Sequence, residues 1–327
     1  MANITKQRIL CIYELLVKHT DPFHPLSTVE LIQMLKDKHD INVSRNTICN
    51  DLLVLRNSNL PIEYEKSTQN KYYYDGHPFE ISELKIFIDF ILSLKSITGQ
   101  VSQNLIDKFL KLTTEENAAQ LRENISVEGN VKSDNRSTYY CVDTINTAIN
   151  LRRKISFRYT TYNVHKNRCM TNDGNPYTLS PYELTLEGGY YYVKGSCDER
   201  RDMRTFRLDR IVEPPIILSE TFAPLPEQHN PAEYKCAVFR MFDTEKPIMV
   251  ELLCDVSIMK HLIDKFGKEI KTKVIDDSTF KAYVTVCASS TFYRWVFGFS
   301  GKIQIIGPNN IVEKYRSMLI SALNTCR

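Results

Sequence analysis

The chain has 327 residues, 25% charged and 43% hydrophobic, with a formal net charge of +3. That length calls for two or three domains, since single cores stop growing near ~250–300 residues, and the hydrophobic share excludes a mostly disordered chain. Nine Cys without a Cys-x-x-Cys pair speak against a disulfide framework and for a reducing, cytoplasmic setting, and neither a transmembrane helix nor a signal peptide is expected from the sequence.

Ile9, Leu10, Ile12, Tyr13, Leu16 and Val17 recur at helical spacing and predict a helix over 4–18. Asp21, Pro22 and Pro25 end it. Ser27 followed by Glu30 is a capping-box pattern that opens a second helix with Val29, Leu31, Ile32, Met34 and Leu35. Ser44 is the N-cap candidate of a third helix, whose inner stripe is Ile48, Leu52 and Leu55. Two tyrosine-rich runs, 62–65 and 71–74, follow as a hairpin around polar 67–70.

Three helices and a hairpin are the order of a winged helix-turn-helix. At 100° per residue, Asn46, Asn50, Leu53 and Asn57 face away from the inner stripe of the third helix, with Arg45 and Thr47 on the flanks. Asn can pair bidentately with adenine, and Arg with guanine or phosphate. Lys66 and Lys71 would sit on the wing beside the backbone. Periodicity alone fits equally an ordinary helical bundle with a solvated polar face. Residues 1–75 hold nine basic and nine acidic residues, so one copy has little counterion release to draw on, and two copies on a two-fold site are needed.

Residues 79–97 are apolar on most sides, which predicts a helix buried in a core or against a partner chain. A second helix is expected over about 101–124, and a polar linker (Ser126, Gly129, Asn130, Ser133, Asp134, Asn135) over 126–137. A helix at 141–153 precedes strand-like runs at 155–159, 179–186, 190–195 and 204–211, with a long polar loop at 161–176. Short strands with Gly turns predict a small β-barrel. Pro214, Pro215, Pro224, Pro226 and Pro231 mark a stiff connector. The last segment alternates strand (247–254), helix (256–266), strands (270–276, 280–287), helix (290–299), strand (302–306) and helix (309–324), and its β-α-β-β-α-β order is ferredoxin-like. The stripe Phe292, Trp295, Val296 and Phe299 could serve dimerisation, or cover its own sheet.

Residues 139–216 hold nine of the eighteen Arg and carry +3. Guanidinium groups pair bidentately with phosphate and stack on rings. Tyr159, Tyr182, Tyr190, Tyr191 and Tyr192 supply rings, so the segment is a plausible site for a nucleotide or short single strand. Alternation over 204–211 puts Arg204 and Arg210 on one face with Phe206 and Leu208, and Arg207 on the other. The plain structural alternatives are that Arg207 merely pairs with Asp209 or Glu183, and that Tyr191 and Val193 fill the core.

Three segments of the chain carry a family resemblance. Ser44-Arg45-Asn46-Thr47-Ile48 with Asp51-Leu52 and Leu55 is similar to the recognition-helix signature of bacterial regulators carrying a WYL domain. Pro181-Tyr182-Glu183-Leu184, Gly189-Tyr190-Tyr191-Tyr192-Val193-Lys194-Gly195 and Arg204-Thr205-Phe206-Arg207-Leu208-Asp209-Arg210-Ile211 resemble the WYL core in order and spacing. Residues 295–298 and 312–323 resemble the C-terminal extension of the same regulators. Tyr191-Tyr192-Val193 stands where the family has Trp-Tyr-Leu, and Asn46 and Asn50 stand where members often carry Arg.

The resemblance implies a multidomain α+β chain. Its parts would be a winged helix-turn-helix (1–76), a helical linker or dimerisation region (77–138), an Sm- or SH3-like WYL barrel (139–216) and a C-terminal ferredoxin-like domain (217–327). It implies a homodimeric transcriptional regulator with operator DNA and an anionic or nucleic-acid-like effector as partners. The DNA contacts would be Ser44, Arg45, Asn46, Thr47, Asn50, Lys66 and Lys71. The effector contacts would be Tyr182, Tyr192, Arg204, Arg207 and Arg210. No catalytic, metal-ligating or cofactor-binding residue is assigned: His165 and Cys169 have no second ligand pair, and residues 298–301 are not a nucleophile elbow. The competing class is a nucleic-acid-binding adaptor or processing factor without operator specificity.

Overall fold

The computed structural model describes residues 2–66, 69–125, 131–224 and 247–325. The linker residues Ser126, Gly129 and Asn130 and the connector residues Pro226 and Pro231 lie outside them. The chain is mixed α+β and divides into two compact units, Met1–Arg136 with Gly188–Tyr190, and Ser137–Glu187 with Tyr191–Arg327. No helix among the described residues is long and apolar enough to cross a membrane.

The first unit begins with α1 (Ala2–His19), β1 (Leu26–Ser27), α2 (Thr28–His39), α3 (Arg45–Asn57), β2 (Ile62–Glu65) and β3 (Lys71–Tyr74). Ile12, Leu16, Leu31, Leu35, Ile48 and Leu52, which form the apolar stripes of the three helices, meet in one core. The Ser27/Glu30 capping box opens α2, which satisfies two of its orphan N–H groups. The strands pair in the order β1-β3-β2. Then come α4 (Ile81–Ser93), α5 (Gly99–Leu110) and α6 (Glu115–Glu123).

The single helix expected over 101–124 is therefore two. Thr114 caps a new helix by accepting from the Asn117 N–H at 3.2 Å, which breaks the run. The apolar stretch 79–97 is helical only to Ser93. There the Lys132 ammonium donates to the carbonyls of Ile91, Leu92 and Leu94 (3.0, 3.0 and 2.6 Å), where helical carbonyls lack partners of their own. Burial lowers the pKa of this amine.

The second unit opens with α7 (Thr138–Leu151). A five-stranded sheet ordered β10-β4-β7-β8-β9 follows, from β4 (Arg153–Phe157), β7 (Tyr177–Glu187), β8 (Tyr190–Cys197), β9 (Asp202–Arg207) and β10 (Ile216–Thr221). Ile145, Ile155, Leu179, Val193 and Leu208 form its core. Three expectations are corrected. The loop 161–176 contains a ribbon, β5 (Thr160–Tyr162) with β6 (Arg168–Met170), because the Asn163 side chain accepts from the His165 and Asn167 N–H groups and closes a tight turn. The strand expected over 204–211 stops at Arg207 and becomes a 3-10 turn at Leu208–Arg210, so alternation does not carry to Arg210. The connector includes β10, which pairs with β4 and carries the sheet past residue 216.

The last segment is β11 (Ile248–Asp255), α8 (Met259–Phe266), β12 (Lys271–Val274), β13 (Thr279–Val286), α9 (Ser290–Phe297), β14 (Ile303–Gly307) and α10 (Asn309–Thr325). Its strands are antiparallel in the order β12-β13-β11-β14. Phe292 and Val296 are fully buried in its core, with Trp295 and Phe299 packed against it. The aromatic stripe therefore covers its own sheet and is not a free dimer face.

Candidate functional site

Two places gather the sequence-selected residues. The first is α3. Ser44 caps it, its hydroxyl accepting from the Thr47 N–H at 3.3 Å and meeting the Thr47 hydroxyl at 2.9 Å. These two residues thus shape the helix start. Arg45, Asn46 and Asn50 are exposed on it, so the structure leaves these three polar groups on one accessible helix. Leu53 (54% exposed) and Val54 (51%) continue that surface in apolar form. Lys66 and Lys71 are exposed at the end of β2 and the start of β3.

What fixes α3 is a residue pair that spacing could not reveal. Arg8 of α1 donates from Nε and Nη2 to the two oxygens of Asp51 at 2.6 and 3.1 Å. Asp51 is only 5% exposed. This bidentate bond raises the Arg8 pKa further and ties α3 to α1 across 43 positions of sequence. Farther along, the Arg56 guanidinium lies 4.3 Å over the Tyr64 ring, and Tyr64 stacks on Tyr72, which joins α3 to the hairpin.

The second place surrounds Tyr159. Arg207 spends its guanidinium on Asp209, with Nε to Oδ1 at 3.0 Å and Nη2 to Oδ2 at 2.8 Å. The Arg207 backbone N–H donates to the Tyr159 hydroxyl at 3.1 Å. Arg168 donates to the Asp209 carbonyl at 3.2 Å and lies 5.5 Å from the Tyr162 ring centroid. The Thr160 hydroxyl donates to the Arg210 carbonyl at 3.0 Å. The Arg210 Nε is buried and has no hydrogen-bond partner among the described residues. Burial pushes the Tyr159 hydroxyl pKa up, while the Arg207 N–H and the Arg210 charge pull it down. Among the described residues no carboxylate forms an ion pair with Arg210, in contrast to Arg207.

The five expected effector residues are not all together. Tyr192 lies opposite Arg207 in the β8–β9 register but is buried at 4% exposure. Arg204 lies on the other face of β9 from Arg207, exposed, 3.9 Å from Asp202. Tyr182 donates its hydroxyl to the Ala223 carbonyl at 2.8 Å. Arg168 was missed because it sits in a stretch that reads as polar loop; the adjacent Tyr162, at ribbon spacing, is the signal that could have found it.

Residues 141–215 match the family model described as the WYL domain, so the chain carries a WYL domain in its middle segment. Over 98% of its length the chain is similar to a solved structure of proteasome accessory factor B/C (PafBC) of Arthrobacter aurescens, with 17% identity and a TM-score of 0.27, and it spans 49% of that chain. Over 92% of its length it is similar to a solved structure described as a CRISPR Cas-related protein, with 12% identity and a TM-score of 0.36, covering 78% of that chain. A search of curated proteins found no match.

Proposed function

We propose that this chain is a sequence-specific DNA-binding transcriptional regulator. It works as a cytoplasmic homodimer and is controlled by an anionic, nucleotide or nucleic-acid-like effector at its WYL domain. In this reading residues 1–76 are a winged helix-turn-helix, the WYL sheet is an Sm- or SH3-like barrel, the C-terminal segment is ferredoxin-like, and the chain has no catalytic role. The observation that carries it is the exposed Arg45, Asn46 and Asn50 surface of α3, held by the part-buried Arg8–Asp51 pair.

The chemistry follows from the residue types. Asn46 and Asn50 offer carboxamides to adenine N6 and N7, Arg45 a fork for guanine or phosphate, and Leu53 and Val54 apolar contacts for thymine methyl groups. Ser44 and Thr47 order the helix N-terminus, which favours a phosphate. Lys66 and Lys71 on the hairpin neutralise the flanking backbone. Because residues 1–75 are electrically neutral, two copies on a two-fold site supply what one cannot. Ile86 (68% exposed) and Phe90 (49%) on α4 are apolar surface that supports pairing. On the effector side, Arg210 is the leading contact and Arg204 the second.

Footprinting of the full-length protein on its own upstream region tests this. The expected result is protection of two half-sites about 34 Å apart. Asn50→Ala should weaken binding about 5- to 100-fold, the loss of one bidentate base contact. A protein carrying Arg204→Ala and Arg210→Ala should still footprint but no longer respond in a reporter under inducing conditions. No two-fold protection, or an undiminished response of the double variant, overturns the corresponding half of the proposal; retained single-strand binding without a footprint selects the adaptor reading instead.

A further inference from the structure

The C-terminal sheet has two unlike faces. One carries Val250, Leu252, Phe280, Ala282 and Val284 into the core formed with α8, α9 and α10. The other is made of the alternate residues of the same strands, and every one of these is exposed or half-buried. Register sets two rows across it. Lys271 lies opposite Tyr283, and Tyr283 opposite Glu251. Lys273 lies opposite Lys281, and Lys281 opposite Leu253.

We propose that this face binds single-stranded nucleic acid, with a base stacked on Tyr283 and phosphates taken by Lys271, Lys273 and Lys281. Three observations carry the inference. First, Lys273 and Lys281 face each other directly across neighbouring strands, an arrangement that destabilises a sheet, and no ion pair among the described residues relieves it. A polyanion would. Second, lysines on an edge strand such as β12 are a common guard against edge-to-edge pairing, but that purpose does not explain Lys281, which lies on the internal strand β13. Third, Tyr283 is the ring in the middle of the row, with the Lys271 ammonium 5.6 Å from its centroid. This contact is weak at an exposed site and easily exchanged for a phosphate. An aromatic on a central strand, flanked by cations on an open sheet, is how single strands are held. A duplex hides its base faces and would leave Tyr283 nothing to stack on. Glu251 is the one acid in the two rows, and with Asp255 at the end of β11 the face sets two acids against three lysines, a balance that favours phosphate.

The proposal uses neither the operator nor the effector reading. Its test is fluorescence anisotropy of the full-length protein with oligothymidine and oligouridine of about twelve nucleotides, in the span of known single-strand sites; the tighter arm says whether DNA or RNA is preferred. Tyr283→Ala should weaken binding about 5- to 100-fold, and Tyr283→Phe should hold it within about twofold, since the π-face is kept. Lys273→Ala with Lys281→Ala should lower the slope of log K against log salt by about 1.4, the value for two lost phosphate contacts on a single strand. The Arg204→Ala, Arg210→Ala protein, run alongside, should keep most of the affinity. Failure to bind either oligonucleotide, binding indifferent to Tyr283→Ala and to the lysine pair, binding not rescued by Phe, or binding lost only in the arginine variant each overturns it.

Discussion

The WYL segment and the C-terminal segment both carry surplus positive charge, +3 over residues 139–216 and +2 over 217–327, but they hold it differently. Around Tyr159 the charge is guanidinium and is spent partly within the protein, Arg207 on Asp209 and Arg168 on the Asp209 carbonyl, while Arg158 pairs with Glu213 at the surface. Asp209 is 7% exposed, so the pair is fixed and little screened by solvent. On the outer face of the C-terminal sheet the charge is ammonium on flexible stems, set in the like-charged Lys273–Lys281 pair. The arginines around Tyr159 are therefore less available than the lysines of the sheet face, whatever the segment totals. A count of charges by segment locates cations, but only geometry tells a neutralised cluster from an open one.

The largest expected effect tests the neutralised side. Asp209→Ala removes the carboxylate that accepts from Nε and Nη2 of the part-buried Arg207 guanidinium. Urea unfolding should show a loss of about 2–3 kcal/mol. A loss below about 0.5 kcal/mol, the level of an exposed pair, would mean that Arg207 is solvated and the two regions are alike. A smaller effect tests the open side. Lys273→Glu turns a like-charged cross-strand pair into an opposite one and should raise stability by up to about 1 kcal/mol, while weakening oligonucleotide binding. If the same variant is destabilised, the lysines are not in conflict and the contrast fails.

How much of this was legible in the sequence follows from the range of each interaction. Local signals were readable. Ser27 with Glu30 and Ser44 with Thr47 are caps closed within three residues, and the change of hydrophobic period marked the strands and helices of the last segment. Long-range pairs were not. Arg8 and Asp51 are 43 residues apart, and Lys132 reaches back 38 to 41 residues to end α4. Nothing in spacing links them. The end of β9 was misjudged for a different reason. Leu208 is apolar and buried whether the backbone is extended or turned, so alternation could not report the 3-10 turn over Leu208–Arg210. The face containing Lys281 and Tyr283 was invisible until register set Lys273 beside it.

The smallest effect at any working pH comes from Tyr159, and it probes how tightly the arginine cluster is drawn together. Burial raises the pKa of this hydroxyl, the strongest of its influences; the Arg207 N–H and the Arg210 charge oppose that rise, and Asp209 adds to it. A group whose folded pKa is raised contributes stability that is complete below its unfolded value, near ~10 for tyrosine, and is lost as pH climbs through the folded value. Above about pH 10, stability should therefore fall more in the native protein than in Tyr159→Phe. Arg210→Ala should push the Tyr159 titration still higher, because one opposing charge is gone, and alkaline difference spectroscopy against Tyr159→Phe reads this directly. If the titration does not move, Arg210 is not held against Tyr159. Its buried Nε then belongs to no common site with Arg207, and the cluster separates into unrelated arginines.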